Sequence, residues 1–139
     1  MAKHFKKVLT VAMAAVMTTT MAVSASASTI ATADPVSTPY GNLNGELSVT
    51  EGFWFWDNSK TFTATTTCTN QAPTLTVSME VVSYPSGASI YSGSNRKNNA
   101  TSVSVSSEGI TKSDTVTVYG AHQEIDTTAK VTYSTATAV

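Results

Sequence analysis

Residues 74–82 read Thr-Leu-Thr-Val-Ser-Met-Glu-Val-Val, and this stretch decides the fold class. Polar residues at positions 74, 76, 78 and 80 alternate with four apolar ones: Leu75, Val77, Met79 and Val81. Successive side chains of a β-strand point to opposite faces of the sheet. The stretch therefore predicts a half-buried strand whose apolar side chains lie in the core.

The same alternation continues on both sides of this stretch. Residues 60–69 place Phe62, Ala64, Thr66 and Cys68 on one face, and a row of five threonines on the other. Residues 101–107, 115–119 and 129–135 alternate in the same way, and the last of these has Val131 and Tyr133 at its apolar positions. Shorter runs cover residues 46–50 and 89–92, and no segment keeps a 3.6-residue period. The pattern predicts an all-β protein of seven or eight short strands.

The spacing of these strands favours an immunoglobulin-like two-sheet β-sandwich over residues 41–139, with a small β-barrel as the alternative. Residues 85–87 (Pro-Ser-Gly) have the composition of a turn. Residues 92–99, which include Arg96 and Lys97, have the composition of a polar loop. Residues 28–40 contain Pro35 and Pro39 and show no clear period, so we expect an N-terminal tail there.

The first 27 residues have the three parts of a secretory signal peptide. Lys3, Lys6 and Lys7 precede an uncharged stretch from residue 8 to residue 23, and Ala25-Ser26-Ala27 supplies the small residues of a cleavage site. A membrane-spanning helix needs ~20 consecutive apolar residues. Three threonines interrupt the apolar run here, so a cleaved signal peptide is favoured over a membrane anchor. We expect a secreted, extracellular protein that begins at Ser28 after cleavage, and the leader is more typical of bacteria.

Cleavage would change the charge of the chain. The full chain carries eight basic and nine acidic side chains, whereas residues 28–139 carry five basic and nine acidic ones, a net charge of −4. Nucleic acids and anionic membranes are bound by clustered Lys and Arg side chains. We therefore expect neither a nucleic-acid partner nor a membrane span after cleavage, and a glycan or a cell-surface protein is the expected kind of partner.

The densest chemical feature is Phe53-Trp54-Phe55-Trp56. In an extended strand the two phenylalanines share one face and Trp54 and Trp56 share the other. If the phenylalanines enter the core, the tryptophans form an exposed platform that can stack on sugar rings or contact a partner. The alternative is that one pair fills the core and the other covers an edge of the sheet or packs beneath a loop. Trp54 and Trp56 are the predicted ligand-binding residues.

The threonine row at positions 61–69, with Thr74 and Thr76, resembles the Thr-x-Thr rows of ice-binding proteins. That resemblance implies a flat ice-binding face, whereas strands of a sandwich twist against one another. Thr is also a common residue on a solvated β face, and we favour this interpretation. More generally, the chain resembles many small bacterial exported proteins, a resemblance that assigns no role to any residue.

Few residues are available for catalysis or for binding a metal. After cleavage His122 is the single histidine and Cys68 the single cysteine, so a disulfide within the chain is excluded. A Cys68–His122 pair oriented by Asp114 or Asp126 is conceivable, but Cys68 lies on the face expected to be buried. Oxygen ligands for calcium exist at Glu124, Asp126 and the Asp57-Asn58 turn, without the spacing of an EF-hand loop. We predict no catalytic residue, no metal site and no cofactor.

The sequence thus favours a small secreted, non-enzymatic β-sandwich that serves as an extracellular or cell-surface binding module. Two alternatives stay open. One is a bacteriocin-like antagonist of neighbouring cells, and the other is an assembly subunit of a surface or matrix structure, because long, sparsely charged strands are prone to pair at their edges.

Overall fold

The computed structural model describes residues 27–52 and 56–139, whose strands form one eight-stranded antiparallel sheet. The strands are β1 (Ala27–Thr32), β2 (Val36–Thr38), β3 (Gly41–Glu51), β4 (Ser59–Ser83), β5 (Ser89–Ser106), β6 (Ile110–Thr111), β7 (Val116–Ile125) and β8 (Ala129–Ala136). These ranges contain no helix, so the predicted all-β class is confirmed, and they contain no helix able to cross a membrane. The predicted leader lies outside them except for Ala27, the first residue of β1.

Strand β4 joins two stretches that the sequence suggests are separate strands. Its pairing with β5 shifts register between Thr67 and Ala72, where the alternation of side chains is also interrupted. Such an irregularity bends a strand. The Oγ1 of Thr66 donates a hydrogen bond to the carbonyl oxygen of Thr76 at 3.0 Å, so the two halves of β4 face each other. The predicted faces are confirmed, whereas the predicted break into two short strands is wrong.

Strand β5 runs beside most of β4 and bends with it, while Ser59 and Lys60 at the start of β4 pair with β6. Strand β5 pairs with residues 72–82 and again with residues 63–67 of β4. The Nδ2 of Asn95 donates to the carbonyl oxygen of Ser104 at 2.8 Å, which holds the two halves of β5 together. The prediction of a loop at residues 92–99, around Arg96 and Lys97, is therefore wrong. Main-chain pairing with β4 holds these residues in a strand, and that pairing does not require apolar side chains.

The other edge of β4 is shared by two strands. Strand β3 pairs with residues 60–68 and β7 with residues 74–83. Strands β1 and β2 then pair with β3, and β8 pairs with β7. Strand β8 contacts β1, β2 and β3 without a ladder of main-chain bonds, and the Oγ1 of Thr132 donates to the carbonyl oxygen of Asp34 at 2.8 Å. The sheet is thus nearly closed and barrel-like.

Residues 28–40 contain most of β1 and all of β2, so they are not the unpaired tail that we expected. Strand β1 pairs with residues 46–50 of β3 and β2 with residues 41–43. Between them, the N–H of Ala33 donates to the carbonyl oxygen of Gly45 at 2.8 Å. These bonds provide partners for the main-chain N–H and C=O groups at the edge of β3. Main-chain groups form them, so a regular alternation of side chains is not required.

The core lies between the facing halves of the sheet. It contains the apolar residues expected from the alternation in β4, the first half of β7 and the second half of β5, and Phe62 is its largest fully buried side chain. Cys68 is buried and free, as its position in the alternation predicts. The interior is not uniformly apolar, however, because polar side chains of β4, β7 and β8 meet inside it.

Candidate functional site

Trp56, one of the two predicted ligand-binding residues, lies in a turn between β3 and β4, and 65% of its surface is exposed. Trp54, Phe53 and Phe55 lie outside the described residues. At Trp56 the chain is in a turn rather than the extended strand considered in the sequence analysis. An exposed indole beside a polar turn is suited to contact with a ligand.

The base of this turn is held by several hydrogen bonds. The N–H of Gly52 donates to the carbonyl oxygen of Ser59 at 3.0 Å, and the Nζ of Lys112 donates to the carbonyl oxygen of Gly52 at 3.2 Å. The Oδ1 of Asp57 accepts from the N–H of Ser59 at 3.1 Å and from its Oγ at 2.6 Å. These bonds fix Gly52 on one side of Trp56 and Asp57 and Ser59 on the other, and groups that are fixed beforehand lose little conformational entropy on contact with a partner.

The interior holds a directed chain of hydrogen bonds around His122, which is fully buried. The hydroxyl hydrogen of Thr66 is used in the bond to Thr76, so the Oγ1 of Thr66 accepts from the Nδ1–H of His122 at 2.9 Å. The Nε2 of a neutral imidazole then accepts from the hydroxyl of Ser134 at 2.8 Å. Burial lowers the pKa of His122 to about 4, so the ring is neutral at pH 7.

Two glycines make room for this ring. A Cβ atom at Gly45 would overlap the Cδ2, Cγ and Nε2 atoms of His122. A Cβ atom at Gly120 would lie 2.7 Å from the Oγ of Ser134 and 3.0 Å from the Nε2 of His122. The imidazole, which projects from β7, can therefore lie against Gly45 of β3 and beside Gly120 of its own strand because neither glycine has a side chain.

This arrangement does not support the Cys68–His122 pair considered in the sequence analysis. Both ring nitrogens of His122 are taken by hydroxyls, and the Sγ of Cys68 donates to the carbonyl oxygen of Tyr40 at 3.4 Å. Ser134 and His122 have the hydrogen bond of a nucleophile and its base, but Ser134 is also buried. A reacting group must reach its nucleophile, so we interpret the cluster as a polar part of the core.

Glu124 lies two residues after His122 on the same inward face of β7 and is fully buried. Neither carboxyl oxygen has a hydrogen-bond partner among the described residues. Burial raises the pKa of Glu124, Asp126 raises it further, and Lys130 acts in the opposite direction. A buried carboxyl without partners favours its neutral, protonated form.

The oxygen groups considered for calcium do not form a shared site. Glu124 is enclosed in the protein, and Asp57 is bonded to Ser59 in the turn that contains Trp56. Within residues 27–52 and 56–139, no three His, Cys, Asp or Glu side chains are grouped so that they can hold a metal ion.

A cleft of about 450 Å³ lies where the β1–β2 connection crosses β3 and β4. Its lining includes Asp34, Asn44, Glu46, Thr65 and Thr67. The hydroxyl of Thr29 donates to Glu46, and the Oγ atoms of Thr65 and Ser104 form a cross-strand bond of 3.0 Å. The threonine row thus forms hydrogen bonds within the sheet, as expected for a solvated β face.

Strand β8 presents the opposite face from the one predicted. Thr132, Ser134 and Ala136 are buried, whereas Val131 and Tyr133 are 40% and 67% exposed. The apolar positions therefore point outward, and the prediction that they enter the core is wrong. The reason is hydrogen bonding: the buried hydroxyl of Ser134 donates to the buried His122, and the buried hydroxyl of Thr132 donates to the carbonyl oxygen of Asp34, so these inward polar groups have partners.

Because β8 turns Tyr133 outward, two tyrosines of adjacent strands lie next to each other on the outer surface. Ala121 is paired with Tyr133, and Tyr119 with Thr135, so Tyr119 and Tyr133 are diagonal neighbours on adjacent strands. Tyr119 is 46% exposed. Diagonal positions are close enough for aromatic side chains to form one surface. The sequence contained one signal for this face, since Tyr119 is out of phase with Val116 and Val118 in β7.

The chain matches no protein-family model, no curated protein and no solved structure in these comparisons. The fold and the sites define an all-β protein with a nearly closed, barrel-like sheet and a polar interior around His122. Its described residues expose aromatic side chains at three places: Trp56 before β4, Tyr84 in the β4–β5 turn, and Tyr119 with Tyr133 on β7 and β8.

Proposed function

We propose that the protein is a secreted, non-enzymatic binding module that acts by contact with a glycan or a protein on a cell surface. The observation that supports this function most directly is the exposure of Trp56 on a turn braced by Lys112 and the Asp57–Ser59 bonds. A large aromatic side chain on a fixed base provides contact area at low entropic cost. Export of the chain by residues 1–27 belongs to the same proposal.

The test is the replacement of both Trp54 and Trp56 with alanine. Loss of the indole rings is expected to weaken binding to whole cells or purified cell walls by roughly tenfold or more, since two stacking contacts are removed. Binding is measured by co-sedimentation, and far-ultraviolet circular dichroism checks folding. Replacement of Tyr84, which is exposed in the β4–β5 turn, is the aromatic control. Equal binding by a folded double variant would remove the tryptophans from the proposal.

An assembly subunit is the second candidate, and strand β5 favours it. This strand pairs with β4 alone among the described strands, although it runs from Ser89 to Ser106. Its other main-chain edge can pair with another chain, and only Arg96 and Lys97 supply positive charges to discourage that pairing.

For this second candidate we expect concentration-dependent association on size-exclusion chromatography with light scattering. Proline at Ser94, in the middle of the exposed part of β5, should reduce association because proline removes a main-chain donor. A protein that stays monomeric at high concentration would exclude assembly through β5 and would leave the binding module as the remaining candidate.

For the architecture, we propose the two-sheet, immunoglobulin-like sandwich. Its support is the contact between the two halves of β4 through Thr66 and Thr76. The near closure between β8 and β1 supports the alternative, a small barrel. In either arrangement, Trp56 and the tyrosine pair lie on separate parts of the surface, one in a turn and the other on strands β7 and β8.

A further inference from the structure

The outer face of β7 and β8 carries an aromatic surface, and most of the side chains beside it are uncharged and polar. We define the tyrosine face as Tyr119, Ala121, Val131 and Tyr133. Strand β4 continues it on the side of β7, where Glu80 is paired with Tyr119, Ser78 with Ala121 and Thr76 with Gln123. The Oγ1 of Thr76 donates to the Oε1 of Gln123 at 3.1 Å, which leaves the amide nitrogen of Gln123 to donate to a ligand.

The chemistry of these groups indicates the kind of ligand. Tyrosine rings provide apolar surfaces with a hydroxyl at the tip, and hydroxyl and amide groups lie beside them. A sugar ring has the matching features, namely an apolar C–H face and hydroxyls around its rim. Exposed tyrosines on adjacent strands can contact successive rings of one polymer.

Charge favours a neutral polymer over an anionic one. Glu80 is the one charged residue of β4 paired with β7 opposite the tyrosine face, and Lys130 lies at the start of β8. Residues 28–139 carry a net charge of −4, which repels anionic glycans and anionic lipid surfaces. A neutral ligand is complementary to this face because it brings no charge that would lose its hydration on binding.

We infer that the tyrosine face binds a neutral polysaccharide, with Tyr119 and Tyr133 stacking on its pyranose rings. This inference rests on the proposed contact function and names its ligand class and a second contact surface. The face differs from the Trp56 turn in position, so substitutions can separate the two surfaces.

The test measures depletion of the protein, purified after expression of the full chain, by insoluble cellulose and by insoluble chitin. Binding to at least one polymer is expected, and replacement of both Tyr119 and Tyr133 with alanine should weaken it roughly tenfold or more. Replacement of Tyr133 with phenylalanine should keep most of the binding because the ring remains. Tyr84→Ala, an exposed tyrosine in the β4–β5 turn, is the matched control and should bind as the parent does.

Each outcome bears on the inference. Absence of binding to both polymers overturns it, and so does equal binding by the double tyrosine variant when circular dichroism shows that this variant is folded. Preferential binding to vesicles of anionic lipid, with no binding to either polymer, also overturns it. If the tyrosine variant binds cells normally while the Trp54 and Trp56 variant does not, the contact function stands and only the inference about the tyrosine face falls.

Discussion

Replacement of Gly45 with alanine is expected to lower the free energy of unfolding by about 3 kcal/mol, a large part of the stability of a domain of this size. The added methyl group would overlap the imidazole of His122, which is fully buried. The ring cannot move away without breaking its bonds to Thr66 and Ser134. Overpacking and the loss of buried hydrogen bonds therefore act together.

Urea denaturation followed by circular dichroism measures this loss. Gly109→Ala is the matched control, because its new methyl group would overlap no ring and would meet only the side chain of Ser59 at 3.3 Å, a contact that a shift of a few tenths of an ångström relieves. Combining Gly45→Ala with His122→Ala should cost less than the sum of the single changes, since the methyl group then enters the space left by the ring. A strictly additive double variant, or a Gly45→Ala protein as stable as the control, would show that the ring and the glycine do not contact each other as described.

Stability is expected to fall by about 3 kcal/mol between pH 6.5 and pH 4 through His122 alone. The pKa of His122 is about 4 in the folded protein because the ring is buried, against the ordinary value of 6.5 for an exposed imidazole. Between these values the unfolded chain binds a proton that the folded chain does not, so acidification favours unfolding. The stabilising contribution of neutral His122 is fully present above pH 6.5. A protonated ring would also lose the hydrogen bond that Ser134 donates to Nε2.

Glu124 changes stability in the opposite direction. Its raised pKa means that the folded protein favours the protonated carboxyl, so its contribution is present at low pH and is lost as the pH rises through its folded-state pKa. Comparison of the parent with His122→Gln separates the two groups, because Glu124 is unchanged in both proteins. The His122→Gln protein should lose less stability between pH 6.5 and pH 4 in urea titrations. Equal losses in both proteins would contradict a buried neutral His122.

The sequence predicted the local structure best where one face is apolar throughout. In residues 74–82 every alternate position is apolar, and all four of those side chains are buried. Residues 60–69 are a similar case, and the burial of Cys68 followed from its phase with Phe62. A one-residue change of register would expose such a set to water, so the core imposes the register.

Prediction was poorer where hydrogen bonds, rather than apolar side chains, hold a strand. Residues 92–99 lie in β5 because their main chain pairs with β4, although their composition is that of a loop. In the same way, residues 28–40 complete the edge of β3. Main-chain donors and acceptors are the same for nearly all residues, so the pattern of side chains does not reveal which segments they pair.

The same difference applies to the candidate sites, one of which was predicted from the sequence and one of which was not. Trp56 was predicted from the sequence as part of a dense aromatic segment, and its exposure is a property of the folded turn. The tyrosine face was not predicted, because Tyr133 has the apolar phase of β8 and was expected inside. The hydroxyls of Thr132 and Ser134 take the interior positions instead, since the buried imidazole of His122 requires a partner and Thr132 donates to the carbonyl oxygen of Asp34.

Alternating apolar residues thus determined, without any knowledge of the structure, that this chain is all-β and which side chains of its longest strand are buried. The tertiary structure decided where that strand bends, how nearly the sheet closes and which way β8 faces. The physical reason is that burial of apolar surface acts through the local two-residue period. By contrast, a buried polar group such as His122 selects partners from distant strands, and no local pattern specifies those partners.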